Sequence, residues 1–126
     1  MNRPAGWNPF MEYNDIYIVS ESTEKTVLVA AIGKNSKNPY GYVHGGLIYT
    51  MIDCAAGITA RADGHSYVTQ NAYVNYLDNV NDEERIFATA QVVRRGKTVV
   101  VVNVSVHTQD DKKLADGVVD MFRIED

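Results

Sequence analysis

The sequence predicts an α+β fold in which a curved antiparallel β-sheet is wrapped around one long central helix. Three observations carry that prediction. First, Leu47 to Ile58 is apolar nearly all the way round: Leu47, Met51, Cys54 and Ile58 share one helical stripe, and Ile48, Ile52, Ala55 and Thr59 share the next. A helix without a polar face is normally a buried one. Second, most of the remaining chain alternates with period two, the mark of an antiparallel sheet with one buried face. Third, one helix covers only part of one face of a sheet of long strands. The most economical arrangement curls the sheet around the helix and pairs two copies of the chain.

Residues 1–12 are rich in Gly, Pro and Asn and read as a leader with one short helical turn, docked by Trp7, Phe10 and Met11. Strand-like runs follow at Ile16 to Ser20 and Thr26 to Ile32, joined by the polar turn Glu21 to Lys25, as in a hairpin. Residues 33–38 form a loop. A polar, glycine-rich turn then runs through His44, Gly45 and Gly46 into the helix, which should stop near Arg61 because Asp63-Gly64 supplies a glycine stop after a basic last turn. Tyr67 to Leu77 alternates, with Thr69, Asn71, Tyr73 and Asn75 expected on one side and Val68, Ala72, Val74 and Tyr76 on the other. Ile86 to Arg95, the tight turn Gly96-Lys97, Thr98 to Thr108 and Leu114 to Ile124 complete the sheet. In the Thr98 strand, Val100, Val102, Val104 and Val106 form one clean apolar face.

At 126 residues the chain fits a single domain, small for an enzyme that encloses its own substrate. Chains of this size often complete their sites by oligomerising. A formal net charge of −4 argues against binding nucleic acid through general attraction to phosphates. The single cysteine, Cys54, excludes an internal disulfide framework and fits a reducing compartment. The first residues lack the apolar core of a secretory signal, and no apolar run approaches the roughly 20 residues that span a bilayer. A cytoplasmic protein that does not bind membrane is the expectation.

The functional clue is a conflict. The apolar helix carries one carboxylate, Asp53, and a buried carboxylate needs a partner or a shifted pKa. Gly46, Thr50, Ala56, Gly57 and Ala60, its neighbours at helical spacing, are all small, so another backbone or a ligand can approach closely. His65 and His107 have no ligand-like spacing with other residues, so no metal site is expected. No serine lies in a Gly-x-Ser-x-Gly context, against an α/β-hydrolase triad. Cys54 projects into the apolar stripe and reads as a small hydrophobe rather than a nucleophile.

Asn38, Gly41, His44-Gly45-Gly46 and then Asp53, nine positions beyond the histidine, form a recognisable series. With Val68-Thr69, Asn75-Tyr76-Leu77 and Arg95-Gly96-Lys97-Thr98, it resembles the hotdog-fold acyl-CoA thioesterases. Within them it is most similar to the group of the phenylacetate-pathway thioesterases and the mammalian acyl-CoA thioesterase with a single hotdog domain. The resemblance covers about two thirds of the chain, from Asn38 onward, and fits the first strands loosely. It implies a homodimer with a continuous sheet, often a dimer of dimers (a homotetramer). It also implies thioester hydrolysis without metal or organic cofactor, coenzyme A being part of the substrate. The site would lie at the dimer interface, with the glycine turn from one subunit and the helix carboxylate and strand hydroxyl from the other.

Each residue type suits that chemistry. Gly45 and Gly46 open the helix, so their N–H groups lack intrahelical partners and sit at the positive end of the dipole, where they would form an oxyanion hole. Asp53 would activate water as general base, or attack the carbonyl to give a transient anhydride. The alternative is a core carboxylate satisfied by backbone or by Thr50. Gly46 and Asp53 lie on one face but about 10 Å apart along the axis, which favours an antiparallel partner helix. Thr69 would hydrogen-bond Asp53 or the attacking water, with Asn71 as a substitute; a strand threonine is also simply a good β-former. His44 would support the glycine turn or donate to the thioester. Asn38 would start a turn or, as in relatives, help place water or carbonyl. Arg94, Arg95, Gly96 and Lys97 form a basic hairpin that would hold the phosphates of coenzyme A, unless it is only a solvated turn.

Two other readings stand beside the thioesterase. Hotdog-type hydratases and dehydratases also use a histidine and a helix carboxylate, but usually place the histidine before Pro-Gly, whereas His44 precedes Gly-Gly. A non-catalytic acyl-CoA-binding protein would not need Asp53. The acyl group stays open: Tyr40, Tyr42 and Tyr49 suit an aromatic acyl group or plain packing equally.

Overall fold

A computed structural model describes residues 6–125; residues 1–5 of the expected leader lie outside the described residues. The chain runs α1 (Pro9–Tyr13), β1 (Ile16–Ser20), β2 (Lys25–Ala31), a 3₁₀ turn (Lys34–Ser36), α2 (Gly45–Arg61), β3 (Tyr67–Tyr76), β4 (Arg85–Arg95), β5 (Val99–His107) and β6 (Lys113–Arg123). The strands make one six-stranded sheet in the order β1-β2-β4-β5-β6-β3, with every pairing antiparallel. α2 packs across the inner faces of β2 to β6.

The core forms because that inner face and the helix have complementary sizes. Ala30, Ala88, Ala90 and Ala115 keep part of the sheet low, while Ile48, Met51, Ile52 and Ile58 project from the helix, all buried. The expected valine face of β5 (Val100, Val102, Val104, Val106) closes the far side. At Gly117 sheet backbone and helix approach tightly: a Cβ there would stand 2.8 Å from Ile52 Cγ2. Fully burying an Ile or Met side chain contributes about 1.5–3 kcal/mol, so this helix is held by packing rather than by propensity. Its C-terminal stop is as expected. Gly64 takes a left-handed φ of 89° and its N–H reaches the Arg61 carbonyl at 3.0 Å.

Two expectations are corrected. Met11 anchors α1 in the core, but Phe10 is 60% exposed and does not enter it. In β3 the strict alternation fails, because a bulge at Gln70 breaks the register. Thr69 pairs with the buried Met121, yet Asn71 pairs with Asp120 one position along β6. An extra residue flips every side chain beyond it. Thr69 therefore shares the helix side with Ala72, Val74 and Tyr76, and Asn71 lies on the outer face with Val68 and Tyr73.

Candidate active site

α2 is not sealed on every side. His44, Gly46 and Tyr49 are exposed and Thr50, Asp53 and Cys54 half-buried, forming an open strip along an otherwise buried helix. Asp53 is thus accessible, against the alternative of a carboxylate enclosed by the core. Its partner is Thr69, whose hydroxyl donates to Asp53 Oδ1 at 2.5 Å. The Gln70 bulge makes this contact possible by turning Thr69 inward, and it removes Asn71 from the acid. Thr50, the other suggested partner, donates instead to the Gly46 carbonyl at 2.9 Å. Cys54 stays protonated: burial, reinforced by the neighbouring Asp53 charge, pushes its thiol up to about 11.

At the start of the helix His44 is the N-cap, its Nδ1 accepting the Gly46 N–H at 2.9 Å. This corrects the expected pair of free amides. A ring that accepts at Nδ1 is neutral and carries its proton on Nε2. The His44 carbonyl receives Leu47 and Ile48, leaving the Gly45 N–H without an acceptor among the described residues. A Cβ at Gly46 would press on the imidazole at 3.1 Å, so a side chain there would have to shift His44. Tyr76, at the far end of β3, donates its hydroxyl to the Gly45 carbonyl at 2.9 Å and lays its ring against Gly45. Sequence reasoning gave Tyr76 no role; only the inward register of β3 reveals one.

Asn38 organises the preceding loop. Its Oδ1 accepts the N–H groups of Tyr40 (2.9 Å) and Tyr42 (3.1 Å), a local turn that sets the approach to His44.

Two clefts flank the open strip. One, of about 610 Å³, is lined by His44, Gly46, Leu47 and Thr50 with Tyr13 to Asp15 and Asn35-Ser36. The other, of about 300 Å³, holds Asp53, Cys54, Gly57, Arg61 and Thr69 with Asn8, Phe10, Tyr67, Val68 and Met121. The cap and the acid therefore open into different clefts of the same chain.

The basic hairpin divides. Arg95 Nη1 donates to the Ala60 carbonyl (3.0 Å) and Asp63 (2.7 Å), and Nη2 to the carbonyls of Thr59 (2.9 Å) and Thr23 (2.7 Å). This guanidinium closes the end of α2 with both terminal nitrogens engaged, which corrects its expected place on a phosphate. Arg94 and Lys97 are exposed. Gly96 serves the turn, its N–H meeting the Val99 carbonyl at 2.9 Å. Among the described residues, no group of three His, Cys, Asp or Glu side chains is placed to hold a metal ion. None of the described helices is long and apolar enough to cross a membrane.

A curved antiparallel sheet around one long helix is the hotdog fold, and solved structures share it. The E. coli PaaI protein from the phenylacetic acid degradation operon superposes with a TM-score of 0.88 at 22% identity, over 94% of this chain and 86% of that one. A hypothetical thioesterase protein of Streptococcus pneumoniae, solved with coenzyme A, gives 0.81 at 24% identity, over 86% and 84%. Structures of that protein with an aspartate or a threonine changed to alanine match as well. In sequence, mouse acyl-coenzyme A thioesterase 13 is 25% identical over 101 residues, 79% of this chain and 72% of the relative. The family model of the thioesterase superfamily matches residues 40–115. The chain belongs to that superfamily, a family of thioester hydrolases.

Proposed function

We propose that the protein hydrolyses an acyl-coenzyme A thioester to the free acid and coenzyme A, at a site completed by a second copy of the chain. The observation that carries this reading is the way β3 links the acid to the glycine turn. Its Thr69 end is tied to Asp53 and its Tyr76 end to Gly45. β3 is also the outermost strand beside β6, and an unpaired strand edge is a template for another strand. Two copies joined along that edge by a twofold axis run antiparallel. The Thr69 end of one then lies beside the Tyr76 end of the other, which carries each Asp53 to the other copy's glycine turn. That closes the gap of about 10 Å that separates acid and amide within one helix.

In that arrangement the Gly45 N–H, at the positive end of the helix dipole, polarises the thioester carbonyl and holds the developing oxyanion. Asp53, steadied at one oxygen by Thr69, uses the other to take a proton from the attacking water, or attacks the carbonyl itself to form an anhydride that water opens. In both routes the C–S bond breaks and coenzyme A leaves as the thiol after gaining a proton. The Nε2–H of His44 is the second donor available to the thioester. Every group in this scheme is a side chain or amide of the protein, so it uses no separate cofactor.

The relatives support the reading. Mouse acyl-coenzyme A thioesterase 13 names the activity, and the pneumococcal thioesterase was solved with coenzyme A. The aspartate and threonine changed in its variants stand 16 positions apart, the spacing of Asp53 and Thr69. Asp53→Ala is expected to cut hydrolysis of a good acyl-CoA by about 10² or more, with the circular dichroism spectrum and dimer mass unchanged. Undiminished turnover in that variant would remove Asp53 from the chemistry.

A further inference from the structure

Two arginines stand at the end of α2, and only one is needed there. A basic residue in the last turn ordinarily serves the final carbonyls and the negative end of the dipole. Arg95, from β4, already takes the carbonyls of Thr59 and Ala60, and the Arg61 carbonyl is taken by Gly64. The Arg61 side chain does not turn toward that end. It folds back along the helix over Gly57, its Nη1 only 2.7 Å from the place a Cβ of Gly57 would occupy. It is the one cation among the residues lining the Asp53 cleft. Its guanidinium has no hydrogen-bond or ion-pair partner among the described residues. Gly57 thus makes a groove that brings a free, five-donor cation toward the acid.

We propose that Arg61 receives an anionic group of the substrate, a carboxylate or phosphate, within the cleft that holds Asp53. The inference rests on the thioesterase reading and adds a specificity-determining residue to it. A guanidinium offers paired N–H donors that fit either anion bidentately. Two sources have that chemistry: a phosphate of coenzyme A, or a carboxylate at the end of the acyl group. Phe10, Cys54 and Met121 beside it give the cleft an apolar wall for the uncharged part of the ligand.

The test compares the unmutated protein with Arg61→Ala and Gly57→Ala on four thioesters: butyryl and succinyl groups, each carried on coenzyme A and on phosphate-free N-acetylcysteamine. Gly57→Ala keeps the charge but displaces it, and the group it meets is the movable end of a long side chain. If a phosphate is bound, KM rises about tenfold or more in both variants for both coenzyme A esters and for neither N-acetylcysteamine ester. If an acyl carboxylate is bound, the rise follows the succinyl group on either carrier. Unchanged KM throughout, or an equal rise on the neutral butyryl N-acetylcysteamine ester, overturns the proposal. Should the unmutated protein hydrolyse none of the four, these acyl groups are not its substrates. Calorimetric titration with butyryl-CoA and succinyl-CoA then decides the Arg61 site alone: weaker binding to Arg61→Ala supports it, and equal or absent binding rejects it.

Discussion

The two ends of α2 are built in opposite ways. At the C-terminal end the last carbonyls are all occupied, Thr59 and Ala60 by Arg95 and Arg61 by Gly64. Asp63 receives the Tyr67 hydroxyl and the Arg95 guanidinium, both at 2.7 Å. Nearby, the buried hydroxyls of Thr26 and Thr59 meet at 2.7 Å. At the N-terminal end one amide is capped by a histidine, and the Gly45 amide has no acceptor among the described residues. An unsatisfied donor at a helix start weakens the fold slightly but is ready for a ligand. The contrast teaches that the contacts stabilising the helix are concentrated at one end, while the other keeps a donor free for the proposed chemistry.

Substitutions at the two ends should therefore separate activity from stability. The largest effect is expected from Gly45→Pro. Proline is tolerated at the first helical position, and His44 already has the extended backbone (φ −66°, ψ 131°) that a following proline requires. The change removes the open N–H and little else, so kcat should fall about 10²–10³-fold with a nearly unchanged melting temperature. Arg95→Ala should do the reverse. Exposing the carbonyls of Thr59 and Ala60 and the Asp63 carboxylate should cost about 2–3 kcal/mol in denaturant unfolding, while the folded fraction keeps its turnover.

A smaller effect is expected from Asp63. Burial works to raise its pKa, but the His65 amide, the Tyr67 hydroxyl and the Arg95 charge outweigh it and hold the carboxyl below its usual value. A carboxyl with a depressed folded-state pKa contributes stability above its unfolded pKa, and that contribution is lost as pH falls through the folded value. Asp63→Asn should thus flatten the acid limb of the stability curve. An unaltered limb would mean that the network does not favour the charged form.

Most of the fold was legible in the sequence because its signals are local. The all-round apolar helix from Leu47, the valine face of β5 and the Gly64 stop each depend on one segment and its period. The candidate site was legible only as a set of residues. Asp53 and Thr69 could be paired by resemblance, but the inward turn of Thr69 comes from the Gln70 bulge, which no alternation pattern announces. The basic hairpin showed its charges and not their contacts: Arg95 reaches across to α2, and sequence spacing does not reveal a tertiary partner. Arg61 read as an ordinary last-turn cation until Arg95 was seen to occupy that role. His44 was expected as a support, yet its capture of the Gly46 amide depends on a rotamer.

The central claim is that each site draws its acid from one copy and its amide from another. Mixing Asp53→Ala and Gly45→Pro chains after unfolding and refolding them together tests it most directly. A shared site gives each mixed dimer one site with neither lesion, so an equal mixture should recover about a quarter of the unmutated activity from two nearly inactive parents. A mixture no more active than its parents, although the mixed dimers have formed, would contradict the account.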